Sequence, residues 1–206
     1  MEYKHASVMP GEVLGALRPR EGGRYADGTL GGGGHAALIL EASSPGGWLW
    51  GCDRDDAAVE AASSRLAPYS GRFELRRGTF VSLADWIEPG SLDGVLLDLG
   101  VSAPQLEWPE RGFSLLRDGP LDMRMNQDNK LSAYEVVNEY EEEQLRGVLL
   151  QYGELRQAPA MARVIVSERK DAPIETSEQL KLVLKRFLNH RKENKVLAQI
   201  YQAIRI

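Results

Sequence analysis

The stretch Tyr25-Ala26-Asp27-Gly28-Thr29-Leu30-Gly31-Gly32-Gly33-Gly34-His35 decides the fold. Glycines at 28 and at 31–34 let backbone amides approach a ligand closely and permit positive φ. A helix starting near His35 would aim its free N–H groups at the same point, where they attract anionic or polar groups of a ligand. A flexible linker would not sit between the strand-like run Arg24–Ala26 and the apolar helical stretch Ala36–Leu40. The stretch therefore predicts a strand, a nucleotide-type cofactor loop and a helix.

Working outward, apolar residues at 9, 13, 14 and 17 give one face of a short helix opened by Pro10, leading into a strand at Gly23–Ala26. Beyond the loop, a helix over Ala36–Ala42 ends at Ser43-Ser44-Pro45-Gly46-Gly47. Trp48-Leu49-Trp50-Gly51-Cys52-Asp53 is a short apolar run closed by an acid, which suits a buried parallel strand. A helix over Asp55–Leu66 follows, then strands at Phe73–Arg76 and Leu92–Asp98 with a short helix at Leu83–Ile87 between them. This alternation predicts an α/β, doubly wound parallel sheet whose ligand lies beyond the carboxyl ends of its strands. Asp27, Asp53, Gly78-Thr79-Phe80 and Asp98 all fall at that edge.

From about Leu106 the pattern changes. Residues 107–114 and 117–125 are rich in Gly, Pro and charge yet carry Trp108, Phe113, Leu121 and Met123, a composition typical of ordered, functional loops. Ser132 with Glu135 forms a capping box, and Leu145, Val148, Leu149 and Tyr152 mark a helix face closed by Gly153. A helix over Ala160–Arg169 turns Met161, Val164 and Ile165 inward. Thr176 and Gln179 cap another that carries Leu180, Val183, Leu184, Phe187 and Leu188. The last segment, with Val196, Leu197, Ile200, Tyr201 and Ile204, reads as helical to the final residue.

Composition bounds the function. The 206 residues, 43% hydrophobic and 27% charged, are those of an ordinary globular protein. No apolar stretch is long enough to span a bilayer, and Met1–His5 lacks a signal-peptide layout, so a cytoplasmic location is expected. One cysteine and three scattered histidines give no disulfide and no zinc spacing, and Cys52 reads as a buried strand residue. The net charge of −5 argues against holding nucleic acid by bulk electrostatics. All of that acidity lies in residues 1–105, with 9 Lys+Arg against 14 Asp+Glu; residues 106–206 carry 16 of each. The stretch Arg169–Lys195 concentrates basic residues, as either a phosphate-facing patch or a solvated helix face.

Two cofactor classes use a glycine loop followed by an acid at the end of the second strand. Gly31-Gly32-Gly33-Gly34-His35-Ala36 satisfies the nicotinamide expression, but four consecutive glycines satisfy many. Asp27 discriminates: a carboxylate just before the first glycine repels a pyrophosphate and favours the ammonium or sulfonium end of S-adenosylmethionine. Asp53 could then bind ribose hydroxyls, and Phe80 could cover the adenine.

Lys4-His5-Ala6-Ser7-Val8-Met9, the Asp27–His35 loop, Leu96-Leu97-Asp98-Leu99-Gly100-Val101-Ser102-Ala103-Pro104-Gln105-Leu106, Arg111-Gly112-Phe113-Ser114 and Asp118-Gly119-Pro120-Leu121-Asp122-Met123-Arg124-Met125 together resemble the bacterial ribosomal small-subunit RNA (cytosine-N4)-methyltransferase H family, RsmH/MraW. The resemblance covers essentially the whole chain. It implies a class I, Rossmann-like methyltransferase sheet in residues 1–105 that binds S-adenosylmethionine, and a mostly helical insertion in 106–206 for substrate recognition. It further implies N4-methylation of one cytidine in small-subunit ribosomal RNA, free or in the assembled subunit. Carried over by position, the cofactor contacts are Gly33, Gly34, His35, Asp53, Phe80, Asp98 and Gln105, with Asp27 in support. No residue is assigned as general base and no metal is implied. Arg111, Phe113, Arg117, Arg124 and the basic helical stretch are the candidates for gripping RNA. The family pattern runs on past Ile206, so a fragment, or a cofactor- or RNA-binding remnant, is the alternative expectation.

Overall fold

The computed structural model describes residues 7–189 and 192–205, and only the backbone of Ala103 and Pro104. Contacts divide the chain into two compact units, Met1–Pro104 and Gln105–Ile206.

The first unit opens with α1 (Pro10–Leu17), its proline in the first helical turn, where the missing N–H costs nothing. Next come β1 (Arg24–Asp27), α2 (Gly34–Ala42), β2 (Trp48–Asp53), α3 (Asp56–Leu66), β3 (Phe73–Arg77), a 3₁₀ turn at Phe80–Asp85, and β4 (Gly94–Leu96). Among the described residues the strands form one parallel sheet in the order β3-β2-β1-β4, with Asp27 level with Gly51 and Leu96. The chain thus winds outward from β1 to β3 and returns to the other side of β1. The order reverses between β1 and β4, which is where open α/β sheets leave a ligand crevice. One sheet face packs Tyr25, Leu49, Leu30, Ile39, Leu40 and Leu66 into a dry core under α2 and α3. The other holds Ala26, Trp50, Cys52, Leu83 and Ile87.

The second unit holds α4 (Ala103–Glu107), whose first two residues precede the division, then α5 (Ala133–Glu139), α6 (Glu142–Gln151), α7 (Ala158–Glu168), α8 (Ser177–Val183) and α9 (Glu193–Ile204). α6 packs on α7 and α9, α5 on the same two, and α7 on α8. Leu145, Leu149, Met161, Ile165, Leu180 and Ile200 are fully buried. The capping boxes expected at Ser132/Glu135 and Thr176/Gln179 are both formed.

Three expectations need correction. The fourth strand is shorter than Leu92–Asp98, because beyond Leu96 the chain bonds to the loop after β1 instead of to β1 itself: Gly28 N–H donates to Leu96 O (3.0 Å) and Asp98 N–H to Thr29 Oγ1 (2.6 Å). The helix expected at Leu83–Ile87 is the 3₁₀ turn at Phe80–Asp85. The stripe running to Leu188 does not mark one helix: α8 stops at Val183 and a 3₁₀ turn spans Lys185–Phe187, tightened by bonds from Phe187 N–H to Leu184 O and from Leu188 N–H to Lys185 O. Apolar spacing over so few residues does not separate a period of 3.6 from one of 3.0. The last helix ends at Ile204; Ile206, like Lys4–Ala6 and Arg191, lies outside the described residues.

Candidate functional site

Three carboxylates come to the C-terminal edge of three adjacent strands: Asp53 on β2, Asp27 on β1 and Asp98 just beyond β4. Asp27 is 1% exposed, and its Oδ1 accepts the Thr29 N–H at 3.1 Å. Burial pushes its carboxyl up to about 7; the Thr29 bond opposes this, and the fields of Asp53 and Asp98 add to it. Asp53 is better supported, with Oδ2 accepting from Gly31 N–H (2.9 Å) and Oδ1 from Asp55 N–H (3.0 Å). Burial still raises its pKa against those bonds. Asp98 is exposed. Neither Asp27, Asp53 nor Asp98 makes an ion pair with a described residue, and no group of His, Cys, Asp and Glu among the described residues is placed to hold a metal ion. Unpaired carboxylates at one edge favour an organic cation bearing hydroxyl groups.

The glycine loop is rigidly tied beneath these acids. Leu30 is buried in the core, its N–H bonded to Cys52 O at 3.1 Å, and a side-chain carbon at Gly51 would stand 2.8 Å from Leu30 Cδ1. Asp53 holds Gly31, so the acid at the end of β2 fixes the loop as well as facing the crevice. Gly33, the N-cap of α2, has φ +72, and an added Cβ would meet Ala62 of α3 at 3.0 Å. An added Cβ at Gly34 would collide with Ser7 Oγ and lie 2.9 Å from Arg65 Nη1. At both positions the missing side chain makes room for packing, so a ligand would meet the backbone amides. With no side chain capping α2, its first-turn amides are not claimed by a cap. His35, in that turn, is buried.

Phe80 opens the 3₁₀ turn, 38% exposed, and lies against Gly28: an added Cβ there would come within 2.6 Å of Phe80 Cβ and of Leu97 Cδ2. The first unit therefore brings Gly33, Gly34, His35, Asp53, Phe80 and Asp98 onto or beside the loop edge. Gln105 is buried on α4 and belongs to the second unit. Thr29 was not singled out from sequence, yet its N–H holds Asp27 and its hydroxyl holds the Asp98 backbone, joining the β1 and β4 loops. The available signal was a hydroxyl residue two positions after a strand-end acid, where an Asx-type turn forms.

The residues considered for gripping RNA are mostly spent inside the second unit. Arg111, 4% exposed, donates to Arg124 O (3.0 Å) and Met125 O (3.2 Å), and its guanidinium lies 6.0 Å from the Phe113 ring. Phe113 is itself 4% exposed. Arg124 forks onto Asp122 and reaches Asn129 O. Arg117 donates to Glu107 O (2.7 Å). In the basic stretch, Arg169 donates to Val137 O and Tyr140 O, and Lys181 pairs with Glu193 at 3.2 Å.

The family model described as the MraW methylase family matches residues 2–206. Among curated proteins, the chain is 50% identical over 209 residues to "Ribosomal RNA small subunit methyltransferase H" of Christiangramia forsetii, covering 100% of this chain and 67% of that protein. Proteins of the same name from Geotalea uraniireducens and Citrifermentans bemidjiense are 48% and 44% identical, over 89% and 100% of this chain and 60% and 68% of their own lengths. The chain thus spans about two thirds or less of the curated relatives it matches.

Proposed function

The chain belongs to the MraW methylase family, and from that premise we propose that it binds S-adenosylmethionine, the methyl donor of these methyltransferases, at the strand edge formed by Asp53, Asp27 and Asp98. The observation that carries the reading is the bond from Gly31 N–H to Asp53 Oδ2, which ties a glycine loop to an acid at the end of the neighbouring strand, in a sheet whose order reverses beside them. Asp53 would take the ribose hydroxyls, Phe80 would lie on the adenine, and the first-turn amides of α2 at Gly34 and His35 would meet the polar end of the amino-acid part. Asp98 completes the set within the first unit; Gln105, carried over from the resemblance, lies in the second unit, and the cofactor domain is proposed as residues 1–105.

We further propose that the protein, in its full-length form, methylates the exocyclic N4 amine of a cytidine in small-subunit ribosomal RNA, free or assembled, in the cytoplasm. Residues 106–206 would recognise that substrate. The relatives' printed names support ribosomal RNA of the small subunit as the substrate. The bound donor supplies an electrophilic methyl group. The cytosine N4 lone pair is delocalised into the ring, so the segment from Asp98 to Gln105 has to hold the amine turned out of conjugation and in line, a matter of positioning. The amine proton becomes acidic once its nitrogen has been methylated, so a strong base is not required.

Incorporation of labelled methyl from S-adenosylmethionine into isolated small subunits, located at a cytosine N4 by nuclease digestion, tests the reading. Label at any other atom overturns the N4 assignment. Cofactor binding without incorporation favours the alternative, a cofactor- or RNA-binding remnant of the family.

A further inference from the structure

Asp27 differs from the other strand-end acids in how little supports its charge. It is 1% exposed at the end of β1, with one backbone N–H as its named partner, while Asp53 has two and Asp98 faces solvent. The Thr29 hydroxyl accepts from the Asp98 backbone and keeps its own O–H for Asp27, a support that lowers the carboxyl's pKa by less than burial raises it. The fields acting on it from β2 and from the segment beyond β4 are those of Asp53 and Asp98, both acidic. Cys52 on β2 is a neutral thiol that burial, joined by the fields of Asp53 and Asp27, pushes up to about 11. α2, which packs on β1, carries His35 and Glu41 as its titratable residues. A carboxylate so placed is costly to ionise until a cation arrives.

Resting on the S-adenosylmethionine reading above, we propose that Asp27 is a charge-sensing residue that holds a proton in the free protein and releases it when a sulfonium binds, so that the site prefers the methyl donor to the thioether left after transfer. The step balances: the carboxyl O–H bond breaks, its electron pair stays on Asp27, and the proton passes to solvent. Donor and thioether share the ammonium and carboxylate groups and differ in the sulfonium charge, which the thioether lacks. Methyl transfer therefore removes the charge that kept Asp27 ionised, and the returning proton weakens the hold on the product. The carboxyl pKa near 7 puts this exchange in the neutral range.

The test is calorimetric titration of the whole chain with S-adenosylmethionine and, separately, S-adenosylhomocysteine, from about pH 6 to 8.5 in two buffers of different ionisation enthalpy, which counts protons released. The sulfonium ligand is expected to release more protons than the thioether, by a difference approaching one near pH 6 and vanishing by about pH 8.5. Asp27→Asn should abolish that difference and narrow the affinity ratio of the two ligands about tenfold or more. Equal proton counts in the wild-type chain overturn the inference without reference to any variant, as does a difference that survives in Asp27→Asn. If both ligands bind with equal counts, only this inference falls; if neither binds, the cofactor reading falls with it.

Discussion

In the second unit the Asp122 carboxylate is held by a two-pronged bond from Arg124, whereas in the first Asp27 ends β1 almost fully buried, supported by Thr29 and by no described cation. The pKa shifts run in opposite directions for that reason: the Arg124 bonds outweigh burial and hold Asp122 below the usual range, while burial pushes Asp27 up to about 7. The glycines differ in parallel. Gly112 (φ +74) and Gly119 sit where an added Cβ would strike the carbonyl oxygens of Pro120 and Pro109, closing a loop on itself. Gly28 makes room instead for Phe80 and Leu97, side chains at the crevice. Asp122 is satisfied from within its own unit; Asp27 lacks a cationic partner there.

The largest expected effect tests the closed loop. Gly112→Ala forces an unfavourable φ and a backbone collision, and should cost about 2–4 kcal/mol in denaturant unfolding. An unchanged midpoint would mean that the loop is not packed as described. A smaller effect comes from Arg124→Met, which leaves Asp122 without its charged partner. The loss should be about 1–2 kcal/mol at neutral pH, after allowing for partial solvent screening. The sign with pH follows from the lowered Asp122 pKa: its contribution is present above the unfolded carboxylate pKa and is lost as pH falls through the depressed folded value. The variant should therefore lose less stability than wild type on acidification, and identical acid profiles would break the contrast between the units. Gly28→Ala should also destabilise, by about 1–2 kcal/mol, because Leu97 Cδ2 can swing aside but Phe80 Cβ, 2.6 Å from the added carbon, moves only with its backbone. Its main signature should be weakened S-adenosylmethionine binding. A variant that unfolds readily yet binds normally would place Gly28 with the structural glycines.

Much of the first unit was legible in the sequence because buried parallel strands are written as short apolar runs closed by an acid or glycine, as at Trp48–Asp53. Caps such as Ser132/Glu135 were legible for a similar reason, since their partners lie three residues apart. What depended on distant partners was not. The early end of β4 and the bridging role of Thr29 arise from bonds across 69 residues. Arg111 and Arg169 read as candidate phosphate ligands because sequence shows a guanidinium and not the carbonyls it will find at Arg124, Met125, Val137 and Tyr140. The site followed the same division: its acids and glycines stood out, and the bond that unites Asp53 with Gly31 did not.

The most direct test of the account is calorimetric titration of S-adenosylmethionine into the chain and into Asp53→Ala. Saturable one-to-one binding is predicted, weakened about tenfold or more by the substitution, since Asp53 is proposed to lose charged hydrogen bonds worth about 1–3 kcal/mol and also holds Gly31 in place. No binding to the wild-type chain, or equal affinity for both proteins, would contradict it.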